Sequence, residues 1–390
     1  MMYLPLRFLL VGLILLNINV NGQNILHTDL LDYLKLVKAI DLSNEELYQA
    51  KLTERNELFV VLRNRVTKEW AFYKGAARHV FSPCSNNKYT GGTLNREGNR
   101  LSISCEDFSV EIWNLETGNI LKRLNVRKAG KSQDYLIPYV SPDGKKLVAE
   151  IGERAELWEI ESSRKIADFT SERTNCYCNR SIYSVEFSPD SKIVAVAFGG
   201  MVFLWNAENG ELLNRLIDKK PDFWGYEESD QITGVGSVRS LLFSKDSKTI
   251  ITGSSIGIAA LWDVETGELL RKFKKHKLAV TAIAVSPDDK VLATGSRNQD
   301  VKLWDIATGK LIVSLNNRKE VRRISFRPDG ARLMSMTSTH VFIWDTKTGS
   351  LLHEMPIPDI LYTSLSPNWK YFIMPDKKKR SLMLYEYDGS

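Results

Sequence analysis

The chain is poor in the residues that carry chemistry. It has five histidines in 390 residues (His27, His79, His276, His340 and His353), and none are paired at metal-ligand spacing. No Gly-x-Ser-x-Gly elbow is present, and no glycine loop of the phosphate-cradling kind. Gly91-Gly92 and Gly199-Gly200 are isolated pairs. These absences leave no signature of a zinc hydrolase, a serine hydrolase or a nucleotide-binding enzyme, and they lead us to expect a protein without cofactor or metal. Basic runs are scarce too. The densest, Lys377-Lys378-Lys379-Arg380, is four residues long in a chain of net charge +6, which reads as a solvated turn and not as a nucleic-acid surface. Four cysteines are present, Cys84, Cys105, Cys176 and Cys178. Their spacing fits neither a zinc site nor a Cys-x-x-Cys redox centre.

Long apolar runs are also missing beyond the first residues. MMYLPLR carries one arginine, Phe8–Leu16 is a nine-residue apolar core, and Val20 and Gly22 suit the pockets of a signal peptidase ahead of Gln23. About 20 apolar residues are needed to span a bilayer, and Asn17 and Asn19 interrupt this stretch. Residues 1–22 are therefore expected to be a cleaved signal peptide, making the mature chain a secreted or periplasmic protein and not an integral membrane one. An oxidising compartment would permit disulfides.

What the sequence has in quantity is repetition. IWNLETG (112–118), LWEIESS (157–163), LWNAENG (204–210), LWDVETG (261–267), LWDIATG (303–309) and IWDTKTG (343–349) end six units alike, and LYEYDGS (384–390) ends a seventh. The anchors Trp113, Trp158, Trp205, Trp262, Trp304, Trp344 and Tyr385 are 45, 47, 57, 42, 40 and 41 residues apart. An earlier marker precedes each anchor by 17 to 19 residues: NREG at Asn95, SPDG at Ser141, SPDS at Ser188, SKDS at Ser244, SPDD at Ser286, RPDG at Arg327 and SPNW at Ser366. Proline followed by Asp-Gly or Asp-Ser makes a tight turn. Alternating apolar runs such as AVTAIAV (279–285) and VLATGS (291–296) flank it. Short period-two runs between turns indicate antiparallel strands, four to a unit of about 42 residues.

The chain thus resembles the WD-repeat family over residues 75–390. The resemblance implies an all-β fold, a seven-bladed β-propeller, and a role as a platform for other proteins, without catalysis. The related propeller of quinone-dependent dehydrogenases carries a Trp shortly after Thr-Gly; here Leu269, Leu311 and Leu351 stand there. In this family a His, a hydroxyl residue, an Asp and the Trp often form a buried network. His276, Thr294 and Trp304 come nearest to it, with Asn298 at the Asp place, while the Trp113 unit has Asp107 but Ile103 at the hydroxyl place. Because the chain stops at a third strand, residues 75–82 are expected to supply the last unit's outer strand and close the ring. Ahead of them, residues 23–74 read as a short helical extension: Thr28 caps one helix to about Ile40, and Ser43-Asn44-Glu45-Glu46 forms a capping box for a second.

Loop length points to a working face. The variation falls between one anchor and the next marker, and places long loops at about 127–135, 170–181 and 217–236 on one face, here called the top. The longest holds Phe223, Trp224 and Tyr226, typical interface anchors. Five residues before each marker, the rim of the central channel is expected to carry Leu136, Tyr183, Arg239, Thr281, Arg322 and Leu361. Tyr183, Arg239, Arg322, Phe223, Trp224 and Tyr226 are therefore candidate partner-binding residues, and a Cys84–Cys105 bridge is the candidate disulfide. Other proteins are the expected partners. Glycan or envelope polymer is the second class, stacked on Phe223, Trp224 and Tyr226, and a hydrolase or isomerase site at the channel mouth is the third.

Overall fold

The computed structural model describes residues 34–41, 45–52, 58–64, 70–74, 77–81, 84, 89–94, 100–114, 117–126, 136–170, 181–216, 236–358, 360, 363–366, 368–375 and 381–387. Every sheet among these residues is four-stranded and antiparallel, and the strands make eight such sheets. We number them as blades in chain order. Blade 1 spans Glu45–Phe81, blade 2 Tyr89–Asn125, blade 3 Leu136–Phe169, blade 4 Ile182–Leu216, blade 5 Val238–Lys274, blade 6 Val280–Asn316 and blade 7 Arg323–Pro356. Blade 8 takes Ser364–Leu365, Tyr371–Pro375 and Ser381–Tyr387 from the C-terminal end, and Leu34–Asp41 from the N-terminal end.

All seven anchored units fold as blades of an all-β propeller. The eighth sheet is an addition to the seven expected. It comes from the segment read as helical, and no helix occurs within residues 34–81 as described. The helical spacing of Leu47, Ala50, Leu58, Val61 and Leu62 competes with a stronger local signal. Leu58–Asn64 (LFVVLRN) and Trp70–Lys74 (WAFYK) are short apolar runs rich in β-branched and aromatic residues, which suit a pleated surface. The signal segment and the Thr28 cap lie outside the described residues.

Ring closure also differs in its donor. Ala77–Phe81 is the outer strand of blade 1, paired with Trp70–Lys74. The strand that completes blade 8 is Leu34–Asp41, antiparallel to Ser381–Tyr387 from Leu34↔Tyr387 to Asp41↔Ser381. Closure by an N-terminal strand is as expected, but the strand comes from one blade earlier in the chain.

From blade 2 to blade 8, each blade buries one side against the next. Val148, Leu157 and Phe169 of blade 3 pack with Val185, Phe198 and Phe203 of blade 4. Equivalent clusters join blades 2 and 3, 4 and 5, 5 and 6, 6 and 7, and 7 and 8. The marker turns stitch the bottom face. In each of Ser141, Ser188, Ser244 and Ser286 the hydroxyl donates to the carboxylate two residues on, at 2.6 Å, and accepts the amide five residues on. The fourth marker residue is left-handed, at Gly144 (φ 72°), Ser191 (64°) and Ser247 (62°), which explains the Asp-Gly and Asp-Ser pairs. Neighbouring markers are linked: the Asp143 amide donates to Ser191 Oγ (3.0 Å), the Asp190 amide to Ser247 Oγ (3.3 Å) and Lys245 Nζ to the Pro287 carbonyl (2.8 Å).

Deleting residues 34–41 should open blade 8 and expose the edge of Ser381–Tyr387. Size-exclusion chromatography should then show loss of the monomer to oligomers and aggregate; a deletion that stays monomeric with an unchanged melting temperature contradicts this closure. The turns also set an acid limit. Hydrogen bonds from Ser244 and Ser286 hold Asp246 and Asp288 below the ordinary carboxylate range, and those from Thr308 and Thr348 do the same for Asp305 and Asp345. A depressed folded-state pKa contributes stability above the unfolded value of about 3.9, and loses it as pH falls through the folded value. Urea midpoints should thus fall steeply only below about pH 4; a midpoint that rises on acidification through that range contradicts the assignment.

Candidate functional site

The rim positions lie at the top ends of the inner strands, and three of them make the candidate site. Arg239, second residue of Val238–Phe243, places its guanidinium carbon 4.7 Å from the centroid of the Tyr183 ring on the neighbouring blade. This cation–π contact fixes both side chains. Arg322 precedes the inner strand of blade 7. Its Nη2 donates to Glu320 Oε2 (3.0 Å), and Glu320 Oε1 lies 3.5 Å from Arg297 Nε. The structure thus pairs Tyr183 with Arg239 and puts Arg322 in a separate Arg297–Glu320–Arg322 chain.

Other rim positions serve packing. Leu136 is buried, and Thr281 Oγ1 donates to the Val321 carbonyl of the next blade (2.6 Å). Leu361, and Phe223, Trp224 and Tyr226 of the long loop, lie outside the described residues. Sequence reasoning missed Arg297 and Glu320, and it missed two exposed aliphatics, Ile256 and Leu278, on top-face turns. An apolar residue between Ser255 and Gly257 in the short turn was a legible signal, since a turn tip has no core to fill.

The blade anchors fill structural roles by several chemistries. In blade 6, Trp304 Nε1 donates to Thr294 Oγ1 (2.8 Å), which meets His276 Nε2 (2.7 Å), and His276 Nδ1 meets Asp300 Oδ1 (2.6 Å). One tautomer satisfies the whole line: the Thr294 hydroxyl donates to Nε2, and Nδ1–H donates to Asp300. The acid is therefore Asp300 and not Asn298, whose Oδ1 is buried without a partner. Asp300 lies four residues before Trp304, on the same side of the strand. Burial works against its charge, but hydrogen bonds from His276 and Lys302 outweigh that and lower its pKa.

In blade 7, Ser335 Oγ accepts from Trp344 Nε1 (2.8 Å) and from Asn317 Nδ2 (2.7 Å), with Asn317 taking the histidine's place. Trp262 donates to Thr252 (3.0 Å). Trp113 and Trp158 find carboxylates two residues back, Glu111 and Glu156, each at 3.1 Å. Glu111 compensates for the apolar Ile103 opposite it. Trp205 has no partner for its buried Nε1, and stacks on Phe169 at 4.6 Å. Tyr385 packs in the cluster joining blades 7 and 8.

Cys84 and Cys105 are bonded, with Cα atoms 5.6 Å apart, and the Cys84 amide donates to Glu111 Oε2 (2.9 Å). The bridge ties the entry of blade 2 to the top end of its second strand. Among the described residues, one set of three His, Cys, Asp or Glu groups lies close enough to share a metal ion, Cys84, Cys105 and Glu111. Its sulfurs are committed to each other. The arrangement on the top face can hold charge and apolar surface for a partner; no nucleophile–base pair is assembled on the rim among the described residues. No helix among these residues is long and apolar enough to cross a membrane.

Comparison with known proteins agrees with this architecture. The family model "WD domain, G-beta repeat" matches residues 171–206 and 267–305. Autophagy-related protein 16 of Arabidopsis thaliana is 24% identical over 201 residues, 51% of this chain and 33% of that protein. A Periodic tryptophan protein 2 homolog of Neurospora crassa is 28% identical, over 44% of this chain and 19% of its own length. Human Apoptotic protease-activating factor 1 is 26% identical, over 45% and 13%. The chain spans about a third or less of the length of these relatives.

Replacing Thr294 with Val keeps the volume and removes the hydroxyl that links Trp304 to His276. The stranded indole N–H and imidazole should cost about 2–4 kcal/mol, read as a lower urea midpoint at unchanged slope. A change under about 0.5 kcal/mol, within the range of neutral surface substitutions, contradicts the network.

Proposed function

We propose that this chain, a WD-repeat β-propeller, is a non-catalytic protein-interaction scaffold of an exported compartment, and that it binds its partners through the top face. On the bottom face, turn-to-turn hydrogen bonds link four of the markers. The top face carries ordered and accessible groups. The observation that carries the reading is the Tyr183–Arg239 pair, with Arg322 exposed beside Glu320. Tyr and Arg are the residue types most enriched at binding hot spots, and a side chain already fixed loses less entropy on binding. The similarity to WD-repeat proteins supports a platform over an enzyme.

Two features support export. The first 22 residues have the layout of a secretory signal. The Cys84–Cys105 bond suits an oxidising compartment, because cytosolic thiols are kept reduced. The carbohydrate reading rests on Phe223, Trp224 and Tyr226, and predicts retention on polysaccharide resin that Trp224→Ala abolishes.

The test is affinity capture of the tagged full chain from the envelope or secreted fraction, beside an Arg239→Glu/Arg322→Glu variant, with the N-terminus read by mass spectrometry. We expect a mature N-terminus near Gln23, and partners that fall by about tenfold or more on charge reversal, as for hot-spot residues. Equal capture by both proteins contradicts the top-face assignment, and an intact residue 1–22 segment on cytosolic protein contradicts export.

A further inference from the structure

The top face of blades 5, 6 and 7 presents two kinds of exposed side chain. Ile256 (48% exposed) and Leu278 (53%) sit on neighbouring turns. Gly257, at φ 83°, lies so close to the next segment that a Cβ there would come within 2.5 Å of the His276 carbonyl oxygen and 2.9 Å of that of Leu278. Gly236 packs equally closely on Ile256, where an added Cβ would meet Cγ2 at 2.7 Å. Ser296 Oγ holds the Leu278 carbonyl (2.9 Å), and the Arg297 amide donates to the Ala279 carbonyl (3.0 Å). Ile256 and Leu278 therefore stand exposed on two turns that are held close together by backbone contacts.

Cations lie beside them in the chain. Arg239, Lys275, Lys277 and Arg297 lie on the same turns and strand ends, and Lys319 and Arg322 follow on the next blade. Of these six, Arg297 and Arg322 share the Glu320 carboxylate. Arg239 rests on Tyr183, and Lys319 donates to Thr339 Oγ1 (3.0 Å). Positive charge continues from Lys275 into a cleft of about 570 Å³ between the outer strands of blades 5 and 6, beside Lys272, Lys274 and Lys310.

Among the described residues, an apolar centre in a polar, mainly cationic surround has the anatomy of an interface core and rim. Resting on the scaffold reading above, we propose that this patch binds an acidic segment of a partner protein that carries large aliphatic or aromatic side chains. Ile256 and Leu278 take the apolar groups, and Arg239, Lys275, Lys277 and Arg297 take the carboxylates. Charge complementarity selects an anionic chain. The aliphatic centre selects a polypeptide over an acidic polysaccharide, because sugars stack on open aromatic faces, and the Tyr183 ring is already covered by Arg239.

The probe is a fluorescein-labelled peptide of repeated Glu-Glu-Leu, read by fluorescence anisotropy against the full chain. An all-Glu peptide of equal length and polygalacturonate are the comparators. We expect the Glu-Glu-Leu peptide to bind about tenfold tighter than all-Glu, a difference of one apolar anchor, and to weaken as salt screens the cations. Ile256→Ser/Leu278→Ser should reduce binding to the all-Glu level, and Lys275→Glu/Lys277→Glu should abolish it. All four side chains are exposed, so a thermal melt should show both variants folded. Equal affinity for the two peptides, no binding of either, preferential binding of polygalacturonate, or binding untouched by Ile256→Ser/Leu278→Ser each overturns the proposal. The scaffold reading fails separately: native partners retained by Ile256→Ser/Leu278→Ser but lost by Arg239→Glu/Arg322→Glu overturn this patch alone, whereas no captured partner at all removes the reading on which it rests.

Discussion

A four-stranded sheet of about 40 residues has an apolar face that it cannot bury alone, and the whole structure follows from that constraint. The outer strand of one blade supplies the ring that covers the anchor of the next. Phe169 of blade 3 stacks on Trp205 of blade 4 at 4.6 Å, and Phe273 of blade 5 meets Trp304 of blade 6 at 5.7 Å. A succession of such contacts has two raw ends unless the last sheet is joined to the first. Leu34–Asp41 makes that join by pairing along the length of Ser381–Tyr387, and the inner strand of blade 1 touches blade 8 beside it.

This constraint also sorts the two faces by use. The bottom turns are short, alike and hydrogen-bonded to each other, so their sequence is dictated by turn chemistry. The top connections are also tied by hydrogen bonds, as from Thr281 to the Val321 carbonyl, but share no common turn sequence, and there the chain spends its length. Ordered arginines at Arg239 and Arg322, and exposed aliphatics at Ile256 and Leu278, are costs to a fold acting as a ring alone. They make physical sense as binding surface.

The anchored blades were legible because local chemistry repeats in them. Ser-Pro-Asp-Gly makes the same turn wherever it occurs, and the Trp of each third strand needs the same kind of pocket. Blade 1 was hidden because it has neither signal, so apolar spacing alone had to decide between helix and strand. The acid of the His276 network was misplaced by two residues. Counting back from Trp304 in steps of two would have reached Asp300, and the same step reaches Glu111 and Glu156 behind Trp113 and Trp158. The rim was half legible: Tyr183 and Arg239 follow from strand register, but their pairing depends on how two blades meet. Arg297 reaches Glu320 across blades in the same way, a contact no single repeat encodes.

Hydrogen–deuterium exchange of the intact chain, followed by peptide mass spectrometry, tests the central claim most directly. Interstrand amides exchange slowly only when paired. The account predicts slow, matched exchange in the peptides covering Leu34–Asp41 and Ser381–Tyr387, at a level close to the anchored blades. Rapid exchange across 34–41, with 381–387 protected or not, would contradict closure by this strand.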